Sequence, residues 1–220
     1  MNTTLRIDSE FESLCPPLTD EEYAQLKENI LAEGEVLTPI IVWDGVIIDG
    51  HNRYEILQEH PEVNYSTREK QFTNRHEAIA WICRNQLGRR NLSEMQKTVL
   101  MGRRYDAEKL AYGDRRSEAF SKDHDDRLKS SSNVTAQRLA RELGVSEATV
   151  RRASSVVAGL DAAEEVLPGV AREILDGTIK PTKKEVIAVA KAAPEERRQR
   201  AEKLRVPKET PKKSRAERHQ

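Results

Sequence analysis

The sequence predicts a small α+β domain followed by an all-α domain that carries a helix-turn-helix. Two local patterns predict this order: a β-hairpin that leads through Gly50 into a helix, and a pair of amphipathic helices joined at Gly144. The third observation is a split in charge. Residues 1–83 carry 6 Lys and Arg against 16 Asp and Glu (net −10), and the remainder carries 31 against 21 (net +10). We therefore expect the second part to bind a polyanion.

The composition favours small units over one large globule. Of the 220 residues, 37% are hydrophobic and 34% are charged, which is typical of small helical units joined by solvated connectors. The two cysteines, Cys15 and Cys83, are not spaced as metal ligands usually are. The sequence shows no secretory signal and no apolar run long enough to span a membrane. These features predict a cytoplasmic protein with reduced thiols, no metal site and no membrane partner.

Residues 1–90 are predicted to form the α+β domain. Its first clear helix begins with a capping box, in which Thr19 is the N-cap and Glu22 the third residue, and it ends at Gly34. The other expected elements are a hairpin over 39–48, a helix over 51–60, a strand within 63–72 and a helix opened by Asn74 and Glu77.

A candidate anion site lies where the hairpin meets the next helix. Backbone N–H groups at a helix N-terminus carry partial positive charge, Gly50 allows close approach of a phosphate, and Arg53 adds a charged fork. This pattern predicts a nucleotide site. A tight strand-to-helix turn with Arg53 in a salt bridge is the alternative. Because a helix N-terminus disfavours protonated imidazole, His51 is expected to be a neutral hydrogen-bonding group.

The helical domain is predicted to span 91–195, with a flexible polar insertion over 113–133 and a basic tail over 196–220. Residues 135–153 have the spacing of a helix-turn-helix: Gly144 makes the turn, Val145 fills the corner and Ser146 caps the second helix. The alternative is a plain helical hairpin with charged outer faces. The residues expected to contact duplex DNA are Arg138, Ser146, Glu147, Thr149, Arg151 and Arg152.

The order of these segments resembles the ParB/sulfiredoxin-like superfamily, and within it the ParB-type partition proteins and their mobile-element relatives. The sequence DGHNRYEI resembles the family's phosphate-binding box, residues 85–93 resemble the box that follows, and residues 174–180 resemble the stretch after the helix-turn-helix. The resemblance covers residues 14–195. It implies an α+β ParB/sulfiredoxin-like domain that binds CTP, or another nucleoside triphosphate, with Mg²⁺.

The resemblance also implies which residues hold the nucleotide phosphates: Gly50, His51, Asn52, Arg53, Asn85 and Arg89. Gly50, Arg53 and Arg89 match the family pattern, whereas His51 stands where the family has Glu. Asn85 and its neighbour Gln86 replace a Glu-Asn pair that the family uses for Mg²⁺ and hydrolysis. Since hard cations prefer anionic oxygen ligands, we expect nucleotide binding rather than efficient hydrolysis.

These observations are compatible with three alternative functions. The first is a homodimeric DNA-binding protein, associated with a nucleoid or plasmid, in which a nucleotide gates DNA binding during partition or regulation of a mobile element. The second is a ParB-like nuclease or NTPase with Asp49, His51 and Arg53 near the chemistry, although no residue is assigned as catalytic. The third is a transcription regulator that binds no nucleotide. Sulfiredoxin activity is not expected, because His51 occupies the position of the family's cysteine, and Cys15 and Cys83 lie elsewhere in the sequence.

Overall fold

A computed structural model describes residues 5–89, 91–117 and 124–206, and it describes side chains for 5–89, 91–111 and 132–206. These residues form ten helices and a three-stranded sheet. In chain order the elements are α1 (Ser9–Ser13), α2 (Asp20–Glu33), β1 (Ile40–Trp43), β2 (Val46–Asp49), α3 (His51–Glu59), β3 (Thr67–Glu69), α4 (Arg75–Leu87), α5 (Glu94–Ser117), α6 (His124–Leu143), α7 (Glu147–Val166), α8 (Val170–Leu175), α9 (Lys183–Ala190) and α10 (Pro194–Lys203).

The sheet has the strand order β2-β1-β3, with β1 antiparallel to β2 and parallel to β3. Asp44 and Gly45 both have positive φ (48° and 75°), which is the backbone of a tight hairpin turn, so the predicted hairpin is confirmed. Because side chains alternate along a strand, Ile40 and Ile47 pack on one side, where Ile30 of α2 and Leu57 of α3 also lie. The opposite side packs against α1, α4 and α5.

The capping box predicted at Thr19 is present, and a second one begins α5. Thr19 accepts a hydrogen bond from the backbone of Glu22, whose side chain accepts one from the backbone of Thr19. Ser93 and Gln96 make the same reciprocal pair at the start of α5, over 3.2 and 2.7 Å. Such caps satisfy N–H groups that a helix leaves without partners, and they fix where α2 and α5 begin.

Helix α5 contributes to the core on three sides. Leu100 and Ala107 pack under the sheet with α4, Val99 packs with α7–α10, and Tyr105 packs with α6. The predicted domain boundary at residues 90 and 91 falls just before this helix, and it stays a prediction. The sheet and the helices beyond it thus share one central helix, which fixes how the two parts meet.

The segment predicted as a flexible polar insertion, 113–133, is helical wherever the structure describes it. Helix α5 continues to Ser117, and α6 begins at His124, eleven residues before the predicted start at Thr135. The hydroxyl of Tyr105 is 2.5 Å from that of Ser132, and Ala136 is fully buried. These contacts anchor the middle of α6, and adding turns to an existing helix is far easier than starting one. Residues 118–123 of the predicted insertion lie outside the described residues.

The predicted basic tail, 196–220, also begins as ordered structure. Residues 194–203 form α10, and its Ala201 and the following Leu204 are buried against the core made by α7, α8 and α9. Arg205 donates two hydrogen bonds to the carboxylate of Glu173, at 2.8 and 2.6 Å. With only two apolar contacts in a charged helix, the sequence pattern was too weak to predict this docking. Residues 207–220 lie outside the described residues.

Helices α6 and α7 meet at the predicted turn. Gly144 has a φ of 65°, a left-handed conformation that a side chain would resist, and the N–H of Val145 donates to the carbonyl of Ala140 at 3.0 Å. Ser146 caps α7 by accepting a hydrogen bond from the N–H of Thr149 at 3.1 Å.

Among the helices of the described residues, none combines the length and apolarity needed to cross a membrane.

Candidate functional site

The first helix after the hairpin starts without a side-chain cap. Strand β2 ends at Asp49, Gly50 adopts a φ of 107°, and α3 begins at His51 with no side-chain hydrogen bond to its first turn. A Cβ atom at Gly50 would lie 3.0 Å from Nη2 of Arg53. The left-handed backbone conformation therefore favours glycine at this position, and any side chain there would also press on the guanidinium of Arg53.

Arg53 is held by two acceptors. Its Nη1 donates to the carbonyl oxygen of Thr38 at 2.9 Å, and its Nη2 donates to Oδ2 of Asp49 at 2.8 Å. The side chains of Arg53 and Asp49 are each 14% exposed. The salt bridge that the sequence leaves open as an alternative is thus present. It does not remove Arg53 from the site, because Arg53 also lines the cavity beside Gly50.

The second oxygen of the same carboxylate faces α4 and the residues after it. Oδ1 of Asp49 accepts hydrogen bonds from Gln86 Nε2 at 3.3 Å and Asn85 Nδ2 at 3.4 Å, and Arg89 Nη2 lies 3.9 Å away. Three residues predicted to hold phosphates, Arg53, Asn85 and Arg89, therefore converge on one carboxylate. Sequence reasoning missed this central position of Asp49, because it depends on how α4 packs against β2.

A cavity of about 370 Å³ opens beside this cluster. Five of the six predicted phosphate residues line it, and Asn85 is outside its wall although it contacts Asp49. Helix α2 and the segment before it supply a wall that the sequence did not predict. The lining residues are Cys15, Leu18, Glu22, Leu26, Thr38, Gly50, His51, Asn52, Arg53 and Arg89.

His51, the first residue of α3, lines this cavity. Its side chain is buried, and Nδ1 lies 3.6 Å from Sγ of Cys15. Burial lowers the pKa of His51, against the opposing charges of Glu12 and Asp49. The direction of the shift agrees with the expectation of a neutral imidazole.

Cys15 is distant from the box in the sequence but lies beside it in space. Cys15 contacts His51 and accepts a hydrogen bond from Gln86 Nε2 at 3.6 Å, although 36 residues separate the cysteine from the histidine. Burial, followed by the charge of Asp49, raises the pKa of Cys15 to about 12. A thiol that remains protonated is a poor nucleophile, so its place in the site does not favour sulfur chemistry.

The N-terminal turn of α7 faces solvent. Val150 and Ala153 point inward and are buried. Arg151 is half-buried, and its guanidinium contacts Asn133 at 3.0 Å and Glu147 at 3.3 Å. The exposed residues on the outer face are Ser146, Glu147, Ala148, Thr149 and Arg152.

Arg138, the predicted DNA contact on α6, belongs to an ion-pair network between α5 and α6. It contacts Glu108 and lies 3.3 Å from Glu142, while its side chain remains 52% exposed. Arg104, which is 2% exposed, donates to the same two carboxylates at 2.8 and 2.7 Å. The network ties α6 to α5, and it gives Arg138 a structural task beside any contact with DNA.

These elements define a mixed α/β protein with a small sheet, a glycine-initiated helix beside a cavity and a long helical continuation. The solved structure of a Pnob8-like ParB-N domain matches over 92% of this chain and 89% of that chain, with a TM-score of 0.53 and 17% sequence identity. The chain therefore has a ParB-like fold, as the sequence resemblance predicts, and identity this low shows the fold alone. No protein-family model and no curated protein sequence matches the chain.

Proposed function

We propose that the protein is a ParB-like DNA-binding protein in which α6 and α7 contact duplex DNA and the cavity at Gly50 binds a nucleoside triphosphate that gates this contact. One observation carries the proposal. The start of α7 presents Ser146, Thr149 and Arg152 to solvent, while Val150 on the opposite side is buried. Insertion into the major groove requires a helix whose first turn faces solvent and whose orientation is fixed. The exposed first turn of α7, with its N-cap and the preceding glycine turn, meets both requirements.

The charge distribution supports a polyanionic partner for the helical part. The net charge of +10 lies in residues 84–220, the part of the sequence that contains α5–α10. Phosphate contacts from Arg and Lys supply most of the affinity of such proteins for DNA, and they make binding sensitive to salt. Proteins that bind duplex DNA through a helix-turn-helix usually act as symmetric dimers, so a homodimer is part of the proposal.

The cavity supports a phosphate ligand. Its volume of about 370 Å³ lies within the range of small-molecule sites. Arg53 and Arg89 provide positive charge, and the first turn of α3 has no side-chain cap that would compete with a ligand. CTP, or another nucleoside triphosphate with Mg²⁺, fits this chemistry, and the amides Asn85 and Gln86 favour binding over hydrolysis.

A physical route connects the two sites. Arg89 follows α4, α4 packs along α5, and Arg104 of α5 is hydrogen-bonded to Glu142 of α6. A nucleotide that favours one arrangement of these helices shifts the affinity for DNA by its differential affinity for the two arrangements. Partition of a plasmid or regulation of a mobile element is the biological role that such coupling suits.

The test measures DNA affinity of the full chain by fluorescence anisotropy with a labelled duplex, at several salt concentrations, with and without CTP or ATP. We expect affinity that falls steeply with salt and changes when nucleotide is added, and calorimetry should report heat of nucleotide binding. DNA affinity that ignores salt would contradict the DNA-binding role. Salt-dependent affinity with no nucleotide heat would favour a regulator without a ligand, and phosphate release that Arg53→Ala abolishes would favour an NTPase.

A further inference from the structure

The carboxylate of Asp49 stands at the point where the proposed phosphate-binding side chains meet. We propose that Asp49 is a built-in competing anion, which phosphate groups must displace from Arg53, Asn85 and Arg89 before a nucleotide binds. The inference rests on the proposed nucleotide-binding function and deepens it. It makes Asp49 the residue that decides which anions the site accepts.

The contacts of Asp49 support this role. Both carboxylate oxygens are occupied: Oδ2 by Arg53 at 2.8 Å, and Oδ1 by Gln86 and Asn85 at 3.3 and 3.4 Å. This is the set of donors, one guanidinium fork and several N–H groups, that a phosphate oxygen would take in such a site. Because hydrogen bonds are directional, an N–H group that points at the Asp49 carboxylate cannot donate to a ligand phosphate at the same time.

The charge balance makes the site selective. With Asp49 in place, Arg53 and Arg89 are offset by one negative charge only a few ångströms away. A monovalent anion gains little by replacing the Asp49 carboxylate. That carboxylate is part of the protein and is therefore always close to the donors. A polyphosphate gains more, because its several charged oxygens can engage Arg89, whose side chain is 41% exposed, before Asp49 is released.

Gln86 provides an independent observation. Its side chain is fully buried, its Nε2 donates to Asp49 and Cys15, and its Oε1 makes no hydrogen bond among the described residues. A buried acceptor without a donor is unfavourable, so this arrangement does not satisfy all the polar groups that surround Asp49. Release of Asp49 would free the Gln86 amide to turn and pair both of its ends with ligand or solvent.

The test compares Asp49→Asn with the wild type by calorimetric titration of pyrophosphate and of CTP, both without Mg²⁺. We expect Asp49→Asn to bind pyrophosphate at least about tenfold more tightly, because a unit charge this close to the ligand is only partly screened. Glu55→Gln is the matched control: it removes the same charge from an exposed position of α3 that does not line the cavity, and affinity should change less than about twofold.

Each outcome decides the inference. Equal or weaker binding by Asp49→Asn overturns it and leaves the proposed function standing, because Asp49 then only positions Arg53. Binding by Asp49→Asn alone overturns both the inference and the proposed function, because the wild-type carboxylate then blocks the site permanently and no phosphate displaces it. Absence of binding in both proteins overturns both, and an equal gain in Glu55→Gln overturns the inference by showing a general charge effect.

A measurement on the wild type keeps the test decisive if Asp49→Asn fails to fold. The Nε–H resonance of Arg53 is followed by NMR as pyrophosphate is added. Displacement of Asp49 predicts a shift of the Arg53 signal together with that of Arg89. If pyrophosphate shifts the Arg89 signal alone, Asp49 keeps its partner and the inference is wrong.

Discussion

Gly102 of α5 touches the backbone of Ala153 of α7. A Cβ atom at Gly102 would lie 2.5 Å from the carbonyl oxygen of Ala153 and 2.7 Å from Cγ2 of Val157, closer than a methyl group can approach either atom. The two helices therefore pack backbone against backbone at this point. Because Ala153 is adjacent to Arg152, this contact fixes the distance between α5 and the exposed face of α7.

Gly102→Ala should destabilise the protein by about 1–3 kcal/mol, the usual cost of overpacking a tight core. The sign is diagnostic, because the same substitution inside an uncrowded helix stabilises it by about 0.5–1 kcal/mol. Urea unfolding followed by circular dichroism measures the change. Ser155→Ala, at an exposed position of α7, is the control and should stay within about 0.5 kcal/mol of the wild type. A more stable Gly102→Ala protein would contradict the close contact.

Leu204→Ala should cost about 2–4 kcal/mol of unfolding free energy, because Leu204 is 7% exposed and fills the core beneath α10. Val206→Ala is the matched control two residues further on, where the side chain is 64% exposed, and its effect should be below about 0.5 kcal/mol. Chemical unfolding of the three proteins under one set of conditions gives the comparison. Similar stabilities for both variants would mean that the segment after α9 does not dock in solution.

Arg152→Ala should weaken binding to duplex DNA by about 1–3 kcal/mol and reduce the slope of log affinity against log salt by about one. The physical reason is loss of a cation from the exposed face of α7. Fluorescence anisotropy over a salt series measures both quantities. Arg198→Ala removes the same charge from α10, where the side chain is 72% exposed, and should leave affinity nearly unchanged. Equal losses in the two variants would show a general effect of net charge.

His51 should make stability depend on pH. Burial lowers its pKa from the ordinary value of 6.5, so the unfolded chain binds a proton more readily than the folded protein. Stability is therefore retained above about pH 6.5 and falls as the pH drops below it. Urea midpoints between about pH 7 and pH 5 should fall more steeply for the wild type than for His51→Gln. Parallel curves would contradict this, because they would mean that folding leaves the pKa of His51 unchanged.

The thiols should react slowly in the folded protein. Burial raises the pKa of both Cys15 and Cys83 to about 12, so little thiolate is present near pH 8. The reagent DTNB should modify native protein at least about 100-fold more slowly than unfolded protein, on the ratio of thiolate expected from the usual thiol pKa. Cys83→Ser isolates Cys15. Rapid reaction of Cys15 in that variant would restore a nucleophilic role for the cavity.

Local signals in the sequence predicted much of the fold. Thr19, Ser93 and Ser146 each carry a hydroxyl at the N-cap and mark helix starts, and Asp44-Gly45 marks a hairpin, because these residues act on backbone groups a few positions away. The helical conformation of residues 132–134 was not predicted in the same way, because it depends on a long-range contact between Ser132 and Tyr105 of α5.

The residues of the candidate site differ in the same way in how far the sequence predicts them. Gly50 and Arg53 were predicted because a glycine and an arginine one turn apart act within one short segment. The approach of Cys15 to His51, and of Asn85 to Asp49, depends on how α1 and α4 pack against the sheet. Such long-range distances leave no trace in composition, periodicity or spacing.

The shared position of α5 has a consequence for dissecting the protein. Leu100 and Ala107 pack with Ile41 and Ile48, so a fragment that stops at residue 90 would keep α1 and α4 but lose the part of the apolar cover that α5 supplies. Such a fragment would expose apolar side chains of the sheet and of α4, and a fragment extended through α5 would instead expose the surface of α5 that packs against α7.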